Sequence, residues 1–101
     1  MPELTVERAE PALSAKITSI EWKRLRCVVH VLTNDPAVQV DVRSNWKHPG
    51  TSLVVAPKTV GEAGQVSLAV RDEFEGQAVM VVVLGATSQV LDKRSTMVGG
   101  D

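Results

Sequence analysis

The sequence predicts an all-β domain built as an antiparallel β-sandwich, and three observations support this fold class. Residues 77–84 read QAVMVVVL, and β-branched valines lose side-chain freedom in a helix but pack well on a pleated sheet. Apolar and polar residues alternate strictly in residues 37–43 and 65–71, which is the period of a strand with one buried face. Turn signals recur at a spacing of roughly ten residues, which is typical of sandwiches.

About seven strands are expected, in the arrangement of an immunoglobulin-like sandwich. A small β-barrel is the alternative. The barrel is less favoured because the strand count exceeds the roughly five strands that such barrels contain, and no helix signal separates the strands.

Residues 77–84 are expected to form the central strand, because both faces of this run are apolar. One face, with Val81 at its middle, would fill the core. The other face, with Val82, would meet a second apolar layer, formed either by the terminal arms folded over it or by a partner subunit, and we favour the partner subunit. We therefore expect Val81→Asp to unfold the protein and Val82→Asp to leave a folded chain that has lost its partner.

The first part of the chain predicts an arm and a hairpin. Residues 1–16 are expected to be an N-terminal arm with, at most, a short edge strand at its start. The hairpin comprises residues 17–22, with Thr18, Ile20 and Trp22 on one face, and residues 25–33.

Further strands are expected at residues 37–43, 51–56, 65–71, 77–84 and 87–92. The sandwich domain thus spans residues 17–92. Residues 93–101 end in two glycines and are expected to be a flexible C-terminal tail.

The composition narrows the range of functions. The chain has 101 residues, enough for one domain that folds without metals or cross-links. Its formal net charge of -1 gives no general attraction for nucleic acid, and its aromatic content of 3% leaves few rings for stacking bases or sugars. The single cysteine cannot form an internal disulfide, and no signal peptide or membrane span is visible. We expect a soluble protein, cytoplasmic or virion-associated, that binds neither nucleic acid nor membrane.

No residue pattern predicts catalysis or a metal site, so the chain is not expected to be an enzyme or to hold a cofactor. Cys27 and His30 have a C-x-x-H spacing, but residues three apart in a strand point to opposite faces. We therefore expect Cys27 in the core and His30 in solvent. Asp72, Glu73 and Glu75 lack the regular spacing of a calcium loop and are expected to form a solvated turn.

Two stretches are candidate binding sites. Trp46, Lys47 and His48 form a loop stretch in which an aromatic ring has a neighbouring cation, a combination found at interfaces. The alternative is that Trp46 folds back over the open end of the sandwich. Arg24 and Arg26 belong to a basic cluster near the first hairpin that could meet phosphate or an acidic partner, or could simply protect strand ends against edge pairing.

The stretch Ile17-Thr-Ser-Ile-Glu-Trp22, followed by residues 25–29, resembles the opening strands of the immunoglobulin-like accessory domains attached to bacterial glycosyltransferases that build cell-surface polymers. The resemblance implies a non-catalytic module for oligomerisation or polymer binding. We therefore expect a binding or oligomerisation module of a larger bacterial assembly, which engages a protein partner or itself and for which a surface glycan is a candidate ligand. The alternative is a structural protein of a phage particle or of another symmetric assembly.

Overall fold

Seven strands form two antiparallel sheets in the computed structural model of the protein, which describes residues 13–44 and 52–100. The strands are β1 (Ala15–Lys23), β2 (Arg26–Thr33), β3 (Gln39–Ser44), β4 (Lys58–Thr59), β5 (Gln65–Ala69), β6 (Ala78–Leu84) and β7 (Val90–Met97). The first sheet has the order β1-β2-β5 and the second the order β4-β3-β6-β7. The predicted β-sandwich is confirmed, and the alternative of a closed barrel is wrong.

The first sheet begins with the predicted hairpin of β1 and β2. Its register shifts between Ile17 and Ser19, so that Thr18 is an extra residue in β1. Because of this bulge, Ile17 is buried on the same side as Ile20 and Trp22, which are partly buried against the core, whereas Thr18 is exposed. The prediction that Thr18 shares a face with Ile20 and Trp22 is therefore wrong.

The second sheet has β6 in its interior, paired with β3 on one side and β7 on the other. The predicted central strand is confirmed. Val79, Val81 and Val83 point into the core, which they share with Val40 and Val42 of β3. The core also receives Cys27 and the apolar residues of β2 and β5, so both sheets contribute to one buried cluster.

The outer face of β6 differs from the sequence prediction. Val82 is 3% exposed and Leu84 6% exposed in a single copy of the chain. Asp41, which lies opposite Val82 on β3, is also only 3% exposed, although the alternation in residues 37–43 predicts that it faces water. Its carboxylate accepts hydrogen bonds from Arg43 Nε at 2.9 Å and from Ser52 Oγ at 2.7 Å. Val82 is therefore not a free contact residue for a partner, and our expectation for Val82→Asp changes accordingly.

The expected strand at residues 51–56 is not formed by the described part of that stretch. Ser52 makes an isolated bridge to Arg43, and residues 53–56 are bends. Leu53 is buried in the core and its amide donates to Val42 O at 2.7 Å, while Val54 is partly buried and packs against the core. Regular pairing with β3 resumes after Pro57 in the short strand β4. The chain therefore bulges away from the sheet between Leu53 and Pro57.

The predicted start of the C-terminal tail at residue 93 is also wrong. Strand β7 begins at Val90 and continues to Met97, and Val98 beyond it is buried. The polar residues Lys93, Arg94 and Ser95 pair with β6 because an edge strand needs apolar residues on only part of its surface. At the other end of the chain, β1 starts at Ala15, and most of the predicted N-terminal arm lies outside the described residues.

Candidate interaction surface

The open edges of the two sheets are the first places to look for an interaction surface, because edge strands present unpaired main-chain groups. The edges of the first sheet are β1 and β5, and those of the second sheet are β4 and β7. Their protection against pairing with another chain differs.

Strands β1 and β7 protect each other. Val31 of β2 directs its N–H group toward β5, where it donates to Gly64 O. Ile17 lies opposite Val31 on the other side of β2. In an antiparallel ladder, the N–H and C=O groups of Ile17 therefore point away from β2. Asp92 Oδ2 accepts from Ile17 N at 2.7 Å, and Arg94 Nη2 donates to Ile17 O at 2.9 Å. Both main-chain groups of Ile17 are thereby satisfied by side chains of β7.

The same side of the sandwich is closed further along by Trp22, whose Nε1 donates to Thr96 Oγ1 at 3.0 Å. Each of the two strands also has a bulge and several charged residues, which hinder pairing with a further strand. Strand β4 is protected in another way, since it is only two residues long, begins with Lys58 and follows Pro57.

Strand β5 lacks the features that protect the other edge strands against pairing. Its residues Gln65-Val-Ser-Leu-Ala69 contain no charge and no proline, and its register with β2 has no shift. Val70 N donates to Leu25 O and Gly64 O accepts from Val31 N, so the even-numbered residues between them bond to β2. Because the ladder alternates, the N–H and C=O groups of Gln65, Ser67 and Ala69 point away from β2, to a side where no strand among residues 13–44 and 52–100 pairs with them.

An apolar cleft of about 560 Å³ lies next to this edge. One wall is formed by Leu68 and Ala69 of β5, and the other by the bulge that ends at Pro57. Val55, at the apex of that bulge, is fully exposed. Leu53 and, in part, Val54 hold the bulge against the core, and the cleft lies between the bulge and β5.

The hairpin residues Arg24 and Arg26 lie at one end of the sandwich and are both exposed. Arg24 forms the turn between β1 and β2 with a positive φ of 57°, a conformation that costs energy for a residue with a side chain. Arg26 Nη1 donates to Ser67 Oγ at 3.0 Å, so Arg26 lies over the outer face of β5.

The charge at this end is mixed rather than uniformly basic. Asp72 and Glu73 lie in a short 3-10 helix (Asp72–Phe74), with Glu75 directly after it. A side chain at Gly99 would contact both the Arg24 carbonyl and the Glu75 side chain, so the acidic turn is close to the basic one. The predicted solvated turn is confirmed for these three carboxylates, which are all exposed.

Trp46, Lys47 and His48 lie outside the described residues. Ser44 and Ser52, which flank this part of the chain, are at the same end of the sandwich as the Arg24 turn, since β3 ends where β6 begins. The structure therefore places Arg24 and Arg26 at the same end of the sandwich. The roles of Trp46, Lys47 and His48 stay predictions.

Cys27 and His30 do not form a ligand pair. Cys27 is fully buried, as predicted, and burial raises the pKa of its thiol to about 12. His30 is half-buried rather than solvated: its Nε2 lies 3.6 Å from Glu21 Oε2 and has no hydrogen-bond partner. Within residues 13–44 and 52–100, no group of three or more His, Cys, Asp or Glu side chains could hold a metal ion.

Comparison with protein-family models, with curated proteins and with solved structures finds no match to this chain. No helix in the described part of the chain is long and apolar enough to cross a membrane.

The edge of β5 was missed as a candidate site by the sequence reasoning. The signal was present, because residues 65–69 lack the charges and prolines that mark the other edges. What the sequence could not supply is the position of β5 at the edge of its sheet, which depends on long-range pairing.

Proposed function

We propose that this chain is a non-catalytic binding or oligomerisation module that works within a larger assembly. The observation that carries the proposal is the edge strand β5, which lacks charge, proline and bulge and whose outer side pairs with no strand in the described part of the chain. An open edge of this kind is a template for another extended polypeptide, since main-chain hydrogen bonds supply affinity and neighbouring pockets supply specificity. The cleft beside β5 is such a pocket.

We further propose that the sandwich is of immunoglobulin-like type. The strand order supports this, because β1, β2 and β5 correspond to strands A, B and E of that fold. Strands β3, β6 and β7 correspond to C, F and G, and β4 takes the place of the additional strand next to C. In such domains, the sandwich is a scaffold and the function lies in its edges and loops.

Two settings fit a module of this kind. One is a larger bacterial assembly, in which the module joins protein components or meets a surface glycan. The other is a phage particle or another symmetric assembly, in which copies of the module join each other. An unprotected edge supports both settings, because each needs a surface that binds a polypeptide without catalysis.

Light scattering on the purified protein, together with tryptophan fluorescence during titration with bacterial surface polysaccharide, tests the proposal. We expect association of copies into a defined oligomer. A monomer whose fluorescence shifts with the polysaccharide would support the recognition function instead. A monomer that responds to neither condition would contradict the proposal.

A second candidate function is recognition of an acidic partner through Arg24 and Arg26. It is favoured by the strained backbone of Arg24, because such strain is often retained where a side chain serves a function. Trp46, Lys47 and His48 stay a separate predicted binding stretch. A partner that binds here should lose affinity for Arg24→Ala, whereas one that binds at β5 should not.

A further inference from the structure

We propose that β5 pairs antiparallel with β5 of a second copy, about a two-fold axis at Ser67. This inference rests on the proposed function and identifies the partner as the chain itself. It places the two first sheets side by side as one continuous sheet that spans both copies.

The register follows from the main-chain groups that are free. Gln65, Ser67 and Ala69 point their N–H and C=O groups outward, so these residues must form the hydrogen-bonded pairs of any new ladder. With the axis at Ser67, each Gln65 lies opposite Ala69 of the other copy and the two Ser67 residues face each other. The shared ladder then has about six main-chain hydrogen bonds.

The charges next to β5 agree with the antiparallel direction. Glu62 precedes the strand and Arg71 follows it, and both side chains are exposed. In the antiparallel register, Arg71 of one copy lies opposite Ala63 of the other and next to Glu62. Glu62 itself lies opposite Asp72, and this arrangement occurs on both sides of the axis. Parallel pairing would instead place the two Glu62 side chains together and the two Arg71 side chains together, which is unfavourable.

The residue pairs within the proposed ladder also bring no like charges or bulky side chains together. Neither Gln65 nor Ala69 is charged, and Ser67 is small enough for close approach to its own copy. Strands β1 and β7 offer no comparable match, since each contains three charged residues, whereas β5 has none. In the proposed register, the chain before Gln65 of the second copy passes the apolar cleft, so Val55 is expected to become covered.

Charge substitutions at the two facing positions test this register. Gln65→Lys combined with Ala69→Lys places like charges opposite each other twice, so we expect the dimer dissociation constant to rise about tenfold. Gln65→Lys combined with Ala69→Glu places opposite charges there, and we expect this variant to retain the dimer. Both positions are exposed, so circular dichroism and the melting temperature should show an intact monomer fold in either variant.

Sedimentation equilibrium over a wide concentration range supplies the dissociation constants, with Ser95→Lys on the exposed edge of β7 as a control that should leave them unchanged. Equal dissociation constants for the Lys/Lys and Lys/Glu variants would overturn the β5 pairing while leaving an oligomerisation module in place. A wild-type protein that is monomeric throughout would also overturn it. A variant lacking residues 1–12 should still dimerise, and loss of its dimer would show that the arm, not β5, joins the copies.

Discussion

At the scale of single residues, Cys27 shows how the core changes the chemistry of a side chain. Burial without a charged partner disfavours the thiolate, and this raises the pKa of the Cys27 thiol from 9.0 to about 12. A raised folded-state pKa gives stability that is fully present below the unfolded pKa and is lost as the pH rises toward the folded one. The loss should therefore occur between pH 9 and about 12.

We expect the free energy of unfolding to fall in that range by up to about 1.4 kcal/mol per pH unit. Denaturant titrations at several pH values measure this slope, and Cys27→Ala should lack it. The chain has no tyrosine, so no phenol titrates in the same range. Equal slopes for the two proteins, or rapid reaction of the folded thiol with a disulfide reagent at pH 8, would show that Cys27 is accessible.

Arg24 provides a second prediction for a single residue. Its φ of 57° is a conformation that glycine adopts without steric cost, so Arg24→Gly should not destabilise the fold and should stabilise it by up to about 1 kcal/mol. Thermal unfolding measures the effect. Lys23→Gly, in the adjacent strand position, should instead destabilise by about 0.5–1 kcal/mol. Equal losses for both variants would mean that the turn does not need a positive φ.

Single residues also mark a limit of the sequence prediction. The alternation in residues 37–43 correctly places Val40 and Val42 in the core, because a period of two fixes which residues share a face. It cannot predict the burial of Asp41, because that depends on Arg43 and Ser52, and Ser52 reaches it through long-range folding. Alternation defines the faces of a strand but does not tell whether the second face is covered.

At the scale of elements, β6 and β7 show what local pattern can and cannot predict. β6 was predictable because its valines are unfavourable in a helix and its flanking glycines limit its length. The end of β7 was not, since Lys93, Arg94 and Ser95 resemble a polar tail. They form a strand because β6 offers them an edge, and because Arg94 also bonds to Ile17 of β1.

For the stretch from Leu53 to Ala56 the sequence prediction failed in the opposite way, because it predicted a strand where the chain forms bends. Its apolar residues resemble a strand, but β3 pairs regularly with β4 only after Pro57. The apolar character of Val54 and Val55 is therefore displayed at the cleft rather than buried in a ladder. Sequence pattern alone does not distinguish an apolar bulge from an apolar strand, which is why the cleft beside β5 could not be predicted.

The revised boundary of β7 leads to a prediction for truncated chains. A chain that stops after Asp92 loses the residues that pair with Val79, Val81 and Val82, together with the link from Arg94 to Ile17. We expect this chain to be unfolded by circular dichroism. A chain that stops after Val98 keeps all of β7 and the hydrogen bond from Gly76 N to Val98 O, so it should fold with a similar melting temperature. Two folded chains would mean that the polar end of β7 contributes nothing to the sandwich.

At the scale of the whole molecule, the sandwich buries β6 on both faces. On the inner face, Val81 lies in the cluster shared by the two sheets. On the outer face, Val82 lies between Asp41 of β3 and Lys93 of β7, and it is 3% exposed in a single copy. A carboxylate at position 82 would therefore be buried next to the carboxylate of Asp41, whereas the side chain of Lys93 opposite it is exposed to solvent.

We accordingly expect Val81→Asp and Val82→Asp both to unfold the protein, because a buried charge is among the most damaging substitutions and the charge at position 82 would also lie beside the Asp41 carboxylate. Circular dichroism and gel filtration measure the outcome, and Lys93→Asp is the matched control. Lys93 is exposed and lies opposite Val82, so its replacement changes the same row of the sheet without burying a charge. A folded Val82→Asp chain that has lost self-association would mean that the outer face of β6, rather than the edge of β5, joins the copies.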